Sequence, residues 1–255
     1  MKRIEEQQEA REREHSGEEL RYKTRASQVA EHYNQRRELG VEGRMHTKIT
    51  GLRLFNNWIK SLLIRQYAFA GSRVLDLGCG KGGDLRKWSI AGIAEYVGMD
   101  IAQVSVQQAQ RRFADMQNPR FKACFFAQDC YAVEKRARSA GTRSFGNSVY
   151  QVEFASPLQD IGRFGTAYSF TLDEAVEDCT EYLVHLPTFI QLAKEHQLEL
   201  ELCCSFHQLF AEHKQQRASM DLFHRMRVLD AQRPEISLDE WEAVGIYLAV
   251  AFRKK

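Results

Sequence analysis

Short apolar runs alternate with stretches of helical periodicity through the middle of the chain. The runs are bounded by turn residues, whereas the stretches between them repeat apolar residues every three or four positions. In chain order the elements are a strand RVLDLG, a helix GGDLRKWSIAG, a strand AEYVGMD, a helix VSVQQAQRRFADMQ and a strand KACFFAQD. This alternation predicts an α/β fold that is doubly wound around a parallel sheet with right-handed crossovers.

The flanking regions carry further elements. Upstream, Leu54, Trp58, Leu62 and Ile64 recur close to helical spacing and predict an amphipathic helix. Downstream, the pattern predicts shorter elements: strands VYQVEF and AYSFTL, a helix PTFIQLAKEHQ, a strand LELELCCSF, and a short helix that leads into a final strand in ISLDEWEAVGIYLAVAF.

Residues 1–27 consist almost entirely of Glu, Gln, Arg and Lys and have no apolar face, so we expect a disordered charged tail there. The chain has 255 residues, of which 44% are hydrophobic and 27% charged. This composition is sufficient for one domain with a sizeable core, which we assign to residues 28–255.

Composition excludes several classes of protein. No run of about 18 apolar residues and no apolar leader is present, so we expect an intracellular protein without a membrane anchor. The six cysteines form no C-x-x-C motif and several lie in strand-like runs, which predicts reduced thiols and no metal. The net charge of +2 does not by itself favour nucleic acid, so any such site must be local.

The stretch VLDLGCGKGGDL, residues 74–85, is the strongest candidate for a ligand site. Glycines between a strand and a helix let a ligand approach unpaired backbone N–H groups. Gly78, Gly80 and Gly83 satisfy G-x-G-x-x-G, so a nicotinamide or flavin site remains an alternative. Asp76, however, would meet a positively charged ligand better than a pyrophosphate, which favours S-adenosylmethionine.

Two further acids end the next strands. Asp100 lies 22 residues after Gly78, where either cofactor would need an acceptor for its ribose hydroxyls. Asp129 ends the third strand at the same crevice, where a carboxylate can accept from the adenine amino group; a turn or helix cap is the other interpretation of this residue.

Seven segments in order resemble one family. They are HYNQR, LRLFNNWIKSLLI, DLGCGKGGDLRKW, GMDIAQVSVQQAQRRF, FGNSVYQVEF, FGTAYSFTLDEAVEDCTEYLV and EWEAVGIYLAVAF. Over about residues 28–131 and 145–255 the chain resembles the eukaryotic mRNA cap guanine-N7 methyltransferases, most of all the fungal ones. The resemblance implies a Rossmann-like methyltransferase fold, S-adenosylmethionine as cofactor, and methyl transfer to N7 of the terminal guanosine of GpppN-capped RNA.

The resemblance also implies a set of site residues. For the cofactor these are Lys60, Asp76, Gly78, Gly80, Asp100 and Asp129; for the cap and RNA they are Asn56, Asn57, Lys81, Lys87, Arg112, Glu181 and Tyr247. Glu181 matches the guanine-reading glutamate, a suitable acceptor because guanine N1–H and N2–H₂ are donors. No catalytic acid or base is assigned, because N7 carries a lone pair and no proton.

Taken singly, most of these residues have an ordinary structural interpretation. Trp58 is typical of a core, and Tyr247 of a buried strand aromatic. Only their joint order along the chain favours function. His32, His185 and His207 have no partner at catalytic spacing, and we expect structural or surface roles for them.

The resemblance further implies a cofactor-binding half, residues 28–131, and a cap-binding insert with returning strands, residues 145–255. It implies a nuclear, monomeric enzyme whose partners are 5′-capped pre-mRNA, other capping enzymes and the transcription machinery.

The chain departs from the family after Asp129. There the family has a strand, a helix and another strand before the FGN motif, whereas only residues 130–144 intervene here. Because such a unit needs roughly 30 residues, we predict that central strands are deleted and that one wall of the cofactor crevice is absent. A skipped exon is the preferred explanation; a degenerate paralogue, or a sheet that pairs its first strand with LELELCCSF or IYLAVAF, are the others.

The deletion bears on function and on stability. The loss of central strands should cost more free energy than the ordinary stability margin of a domain, roughly 5–15 kcal/mol. A catalytically impaired remnant that binds capped RNA is therefore the alternative to an active methyltransferase. A nicotinamide-dependent reductase rests on the glycine spacing alone.

Overall fold

The computed structural model describes residues 27, 29–34, 47–127, 144–154, 166–231 and 233–255. Most of the predicted tail and Asp129 lie outside these residues, although Ser27 at the end of the tail is helical. The helices are α1 (29–34), α2 (Thr50–Tyr67), α3 (Leu85–Ala91), α4 (Gln103–Ala114), α5 (Leu186–Glu195), α6 (Phe206–His213), α7 (Arg217–Arg225) and α8 (Leu238–Val244). The strands are β1 (Arg73–Leu77), β2 (Glu95–Asp100), β3 (Lys122–Ala127), β4 (Ser144–Gly146), β5 (Tyr150–Phe154), β6 (Ala167–Leu172), β7 (Val176–Tyr182), β8 (Leu198–Ser205) and β9 (Leu248–Lys254).

The first half confirms the predicted α/β alternation. Strands β1, β2 and β3 pair in parallel in that order, with Leu75 opposite Val97 and Val97 opposite Cys124. Helices α3 and α4 form the two crossovers between them. These five elements make up one half of a Rossmann-like sheet.

Helix α2 organises the larger core. Its buried side chains recur at helical spacing, and Trp58 donates its indole N–H to the Ser219 carbonyl over 3.0 Å. Trp58 packs against Phe55, Phe210 and Phe223, so the core position favoured by its sequence is confirmed. A smaller core lies around Tyr96 between the parallel sheet and its helices.

A second sheet of four antiparallel strands is inserted before α5. Its order is β4-β5-β6-β7, and β5 and β6 match the predicted strands. Sequence patterns missed β4 and β7, as well as helices α6 and α7. The β6–β7 hairpin has a bulge, with a register shift between Phe170 and Leu172.

The last two strands form a separate antiparallel pair. Strand β8 pairs with β9 along its length, and among the described residues β1 pairs only with β2. The idea that the first strand closes the sheet by pairing with LELELCCSF or IYLAVAF is therefore wrong, because those strands pair with each other. Within the described parts of the chain, no helix combines the length and apolarity needed to cross a membrane.

Candidate functional site

The glycine turn after β1 has a backbone that only glycine adopts easily. Gly78, Gly80 and Gly82 have φ values of 78°, 52° and 70°. The N–H groups of Gly78 and Cys79 donate to the Met99 carbonyl over 2.8 and 3.0 Å, which binds the turn to the end of β2. These two hydrogen bonds and the glycine backbone give the turn a defined shape.

Asp100 holds this turn from the adjacent strand. One carboxylate oxygen accepts from Gly80 N–H over 2.8 Å, and the other accepts from Ala102 N–H over 2.9 Å. A carboxylate has about four lone-pair sites, so both oxygens keep capacity for further donors. Asp100 can thus orient the turn and accept from a ligand hydroxyl at once.

Space for a ligand lies at particular glycines of the turn. A Cβ added at Gly80 or Gly83 would meet nothing within 4 Å, whereas one at Gly82 would lie 2.7 Å from Leu85 Cδ1 and 3.1 Å from Ala109 Cβ. In a dinucleotide fingerprint the third glycine permits close helix packing. Here Gly82 has that role and Gly83 does not, so the geometry departs from the dinucleotide alternative.

Asp76 lies on the face of β1 that the helices cover. Its carboxylate accepts the Tyr96 hydroxyl over 2.7 Å. Burial raises the pKa of Asp76, although the Tyr96 hydrogen bond works in the opposite direction. Burial and the neighbouring carboxylate also raise the pKa of Tyr96. The expected contact between the Asp76 carboxylate and a positively charged ligand stays a prediction.

Lys60 and Lys87 converge on Asp84, which sequence reasoning missed. Lys60 Nζ of α2 lies 2.7 Å from Asp84 Oδ2, and Lys87 of α3 pairs with the other oxygen. Burial works to raise the pKa of Asp84, but the two lysines outweigh it and the pKa lies below its ordinary value. The carboxylate therefore joins α2 to the end of the glycine turn.

A second group of residues, which we call the acid–tyrosine cluster, consists of Glu181, Tyr168, Tyr247 and Asn56. The Tyr168 hydroxyl donates to Glu181 Oε2 over 2.7 Å across the β6–β7 pair. Burial raises the pKa values of Glu181, Tyr168 and Tyr247, and Glu181 adds to the shift of both tyrosines. Glu181 is therefore a partly desolvated carboxylate.

Asn56 completes the cluster from helix α2. Its side chain works to lower the pKa of Tyr247 and so lies beside that hydroxyl, while its buried Oδ1 has no partner among the described residues. An unpaired buried acceptor is costly unless a donor reaches it. Asn56 and Lys60 lie one turn apart on α2, so this helix connects the cluster to Asp84 and the glycine turn.

The other residues predicted for the cap and RNA lie outside the acid–tyrosine cluster. Asn57 follows Asn56 on α2, and its carbonyl accepts the Ser61 hydroxyl. Lys81 lies within the glycine turn, and Arg112 is exposed in the last turn of α4, where a basic side chain also suits the helix dipole. His185 contacts Thr188, and His207 stacks on Trp241, as expected of structural residues.

Tyr168 and Asp84 are the site residues that sequence reasoning missed. Tyr168 lies 13 residues before Glu181, on a strand whose register cannot be read from alternation. Asp84 follows Gly83 directly and gives the signal of a helix N-cap, although its side chain makes no cap hydrogen bond. Within the described residues, no group of three His, Cys, Asp or Glu side chains could hold a metal ion.

Comparisons with known proteins agree on one family. The family model described as mRNA (guanine-N(7))-methyltransferase domain matches residues 17–140 and 131–255. An mRNA cap guanine-N(7) methyltransferase of Cryptococcus neoformans is 37% identical over 297 residues, covering 91% of this chain and 42% of that protein. That of Schizosaccharomyces pombe is 34% identical over 295 residues, covering 89% and 82%, and that of Drosophila melanogaster is 31% identical over 329 residues, covering 89% and 76%.

The alignments also bear on the deletion. Each is longer than the 255 residues of this chain, so the relatives carry residues that the chain lacks. The chain spans about half the length of its two Cryptococcus relatives, 42% and 48%. The two matches of the family model meet at residues 131–140, directly after the predicted strand KACFFAQD. The chain belongs to the mRNA (guanine-N(7))-methyltransferase domain family.

Proposed function

We propose that this chain binds S-adenosylmethionine and transfers its methyl group to N7 of the terminal guanosine of GpppN-capped RNA. The observation that carries the proposal is the position of Asn56 and Lys60 on α2, one turn apart, between the acid–tyrosine cluster and the glycine turn. A helix that faces the two ligands with neighbouring turns would hold two substrates in a fixed relation.

The glycine turn is the proposed cofactor site. Gly78, Gly80 and Asp100 would contact the ligand, because a Cβ at Gly80 would meet only open space and Asp100 keeps acceptor capacity. Lys60 and Asp76 would border the same site, with Asp129 as a further acceptor. The bound cofactor would supply a methyl group on a positively charged sulfur.

The acid–tyrosine cluster is the proposed guanine site. Glu181 would accept from guanine N1–H and N2–H₂, and the Tyr168 hydroxyl orients the carboxylate for this. Tyr247 and the unpaired Asn56 Oδ1 would border the base. Asn57, Lys81, Lys87 and Arg112 are proposed for the cap and its phosphates, since basic side chains suit a triphosphate bridge.

The residues would act by alignment and not by proton transfer. N7 of guanine has a free lone pair, so no side chain needs to remove a proton. Glu181 and its neighbours would orient the base, Asp100 would orient the glycine turn, and the partly buried cluster would exclude water. Orientation of this kind can contribute a large share of a methyl-transfer rate.

The proposed setting follows from the substrate. Capped pre-mRNA is made in the nucleus, so we place the chain there, with other capping enzymes and the transcription machinery as further partners. A monomer is the proposed form.

A second function is favoured by one specific observation. Among the described residues β1 has no neighbour on its outer edge, so the sheet is incomplete beside the glycine turn. The chain would then hold capped RNA through the acid–tyrosine cluster without transferring a methyl group.

Methyl transfer and binding separate the two functions. The chain is incubated with labelled S-adenosylmethionine and GpppG-capped RNA, and the cap is released by nuclease and identified; ApppG-capped RNA is the control. Calorimetric titrations with the cofactor and with capped RNA follow separately. Labelled N7-methylguanosine supports the enzyme, whereas capped-RNA binding without cofactor binding supports the second function.

A variant pair tests the guanine role. Glu181→Gln removes an acceptor and should weaken binding of GpppG-capped RNA about tenfold or more. Glu177→Gln changes an exposed glutamate on the same strand and should bind as the unaltered chain does. Equal binding by both variants would remove Glu181 from the proposed site.

A further inference from the structure

The parallel sheet β1-β2-β3 has two very different faces. Strand side chains alternate between the faces, and paired residues share one. On the first face Val74, Tyr96 and Phe125 pack against α3 and α4 in the smaller core. The second face, which we call the open face, carries two apolar rows, Leu75–Val97–Cys124 and Leu77–Met99–Phe126.

The open face is accessible where an α/β sheet is normally covered. Leu75 is 59% exposed, Leu77 49% and Phe126 47%, and Cys124 is exposed as well. Parallel sheets bury both faces under helices, which is why their strands are apolar throughout. Contiguous apolar side chains on such a face indicate that a covering element comes from elsewhere.

The topology indicates which element is absent. Helices α3 and α4 lie in the two crossovers, which run in the same direction across the sheet, from β1 to β2 and from β2 to β3. Both helices therefore cover the first face. A right-handed crossover from β3 to the outer edge of β1 would place its helix on the open face and its strand beside β1. One helix–strand segment would therefore cover the face and pair the free edge.

The relatives carry residues that this chain lacks, and the two family-model matches overlap just after β3, at residues 131–140. We propose that the open face and the outer edge of β1 form a docking surface for a helix–strand segment of another polypeptide. The proposal concerns folding and association, so it stands apart from methyl transfer.

The dimensions and charges define the occupant. Two rows across three strands span about 10 Å, the width of one helix with its side chains. A charged row, Arg73–Glu95–Lys122, lies at the start of the three strands. Arg73 forms an ion pair with Glu95 over 2.8 Å, and Lys122 lies opposite Glu95 on the next strand. The occupant is therefore an amphipathic helix with an apolar stripe about two turns long and an acidic residue near Lys122.

A peptide titration tests the proposal. The probe is the stretch of the Cryptococcus neoformans relative that lies between its counterparts of Ala127 and Ser144 and aligns with no residue of this chain. Fluorescence anisotropy measures binding to the full chain, and hydrogen exchange measures protection of the β1 amides. We expect saturable binding and slower exchange at Val74–Leu77, because a new strand would pair that edge.

Matched variants locate the binding. Leu77→Lys should weaken binding about tenfold or more, since it puts a charge into the apolar contact. Ile90→Lys alters a side chain that is 76% exposed on α3 and should bind as the unaltered chain does. Phe126→Lys repeats the test if circular dichroism shows that Leu77→Lys unfolds.

Three outcomes would overturn the proposal. The first is no binding up to the solubility limit of the peptide. The second is binding that Leu77→Lys and Phe126→Lys leave unchanged. The third is concentration-dependent self-association that Leu77→Lys abolishes, which would make a second copy of the chain the occupant. None of these measurements depends on methyl transfer.

Discussion

Glu240 connects two parts of the molecule through one buried carboxylate, and its removal should be costly. The side chain is only 5% exposed. One oxygen accepts from Leu52 N–H in the first turn of α2 over 3.0 Å. The other accepts from Ser237 N–H and its hydroxyl over 3.2 and 3.0 Å, and so forms the capping box of α8. Glu240 thus caps two helices at once.

The magnitude follows from these contacts. In Glu240→Ala, the buried Leu52 N–H loses a charged acceptor, which costs about 1.5–3 kcal/mol. Loss of the α8 cap costs about 1 kcal/mol more. We therefore expect Glu240→Ala to lower the free energy of unfolding by about 3 kcal/mol, a large part of a margin of roughly 5–15 kcal/mol.

Urea denaturation followed by circular dichroism measures this change. The control is Glu235→Ala, which removes a nearby exposed glutamate and should change the free energy of unfolding by less than about 0.5 kcal/mol. A loss below about 1 kcal/mol in Glu240→Ala, or losses of equal size in both variants, would refute the double-cap role.

Three further predictions concern the site. Gly82→Ala should lower the free energy of unfolding by more than about 1 kcal/mol, because Gly82 has φ +70° and no room for a Cβ. Gly83→Ala has room for its Cβ, so it should keep the free energy of unfolding unchanged but weaken cofactor binding measured by calorimetry. Burial raises the pKa of Glu181, so the unaltered chain loses stability as pH rises through that pKa. Glu181→Gln cannot lose a proton there, so its free energy of unfolding should exceed that of the unaltered chain by an amount that grows with pH, in urea titrations at several pH values. The pKa of Asp84 is lowered, so its contribution is present above the ordinary pKa and lost as pH falls; Asp84→Asn should abolish this part of the acid sensitivity of unfolding and leave Lys60 unpaired.

The parallel half of the fold could be predicted because its signals are local. Each strand from β1 to β3 is a short apolar run, and each helix between them repeats its apolar residues at helical spacing. Strand β7, in contrast, reads VEDCTEY and has no such run. It is a strand because β6 pairs with it, and a pairing partner is not a local signal.

The acid–tyrosine cluster depends on register. Leu172 pairs with Val176, and a hairpin that continued this register would bring Tyr168 opposite Thr180. The bulge moves the pairing by one residue, so that Tyr168 faces Glu181. Asp178 has a positive φ of 43° in the bulged strand. One extra residue in a strand exchanges which side chains meet, and alternation along the chain does not reveal it.

Sequence alone determined the family, the glycine turn and the position of Asp100 at the end of β2, because motif order and backbone demands act over a few residues. Only the tertiary structure decided that Lys60 and Lys87 share Asp84, and that Tyr168 orients Glu181. It alone also showed that the open face carries large exposed apolar side chains, Leu75, Leu77 and Phe126. Contacts between distant segments depend on register and packing, and burial depends on which partner covers a face, so neither is a property of a residue and its neighbours in the chain.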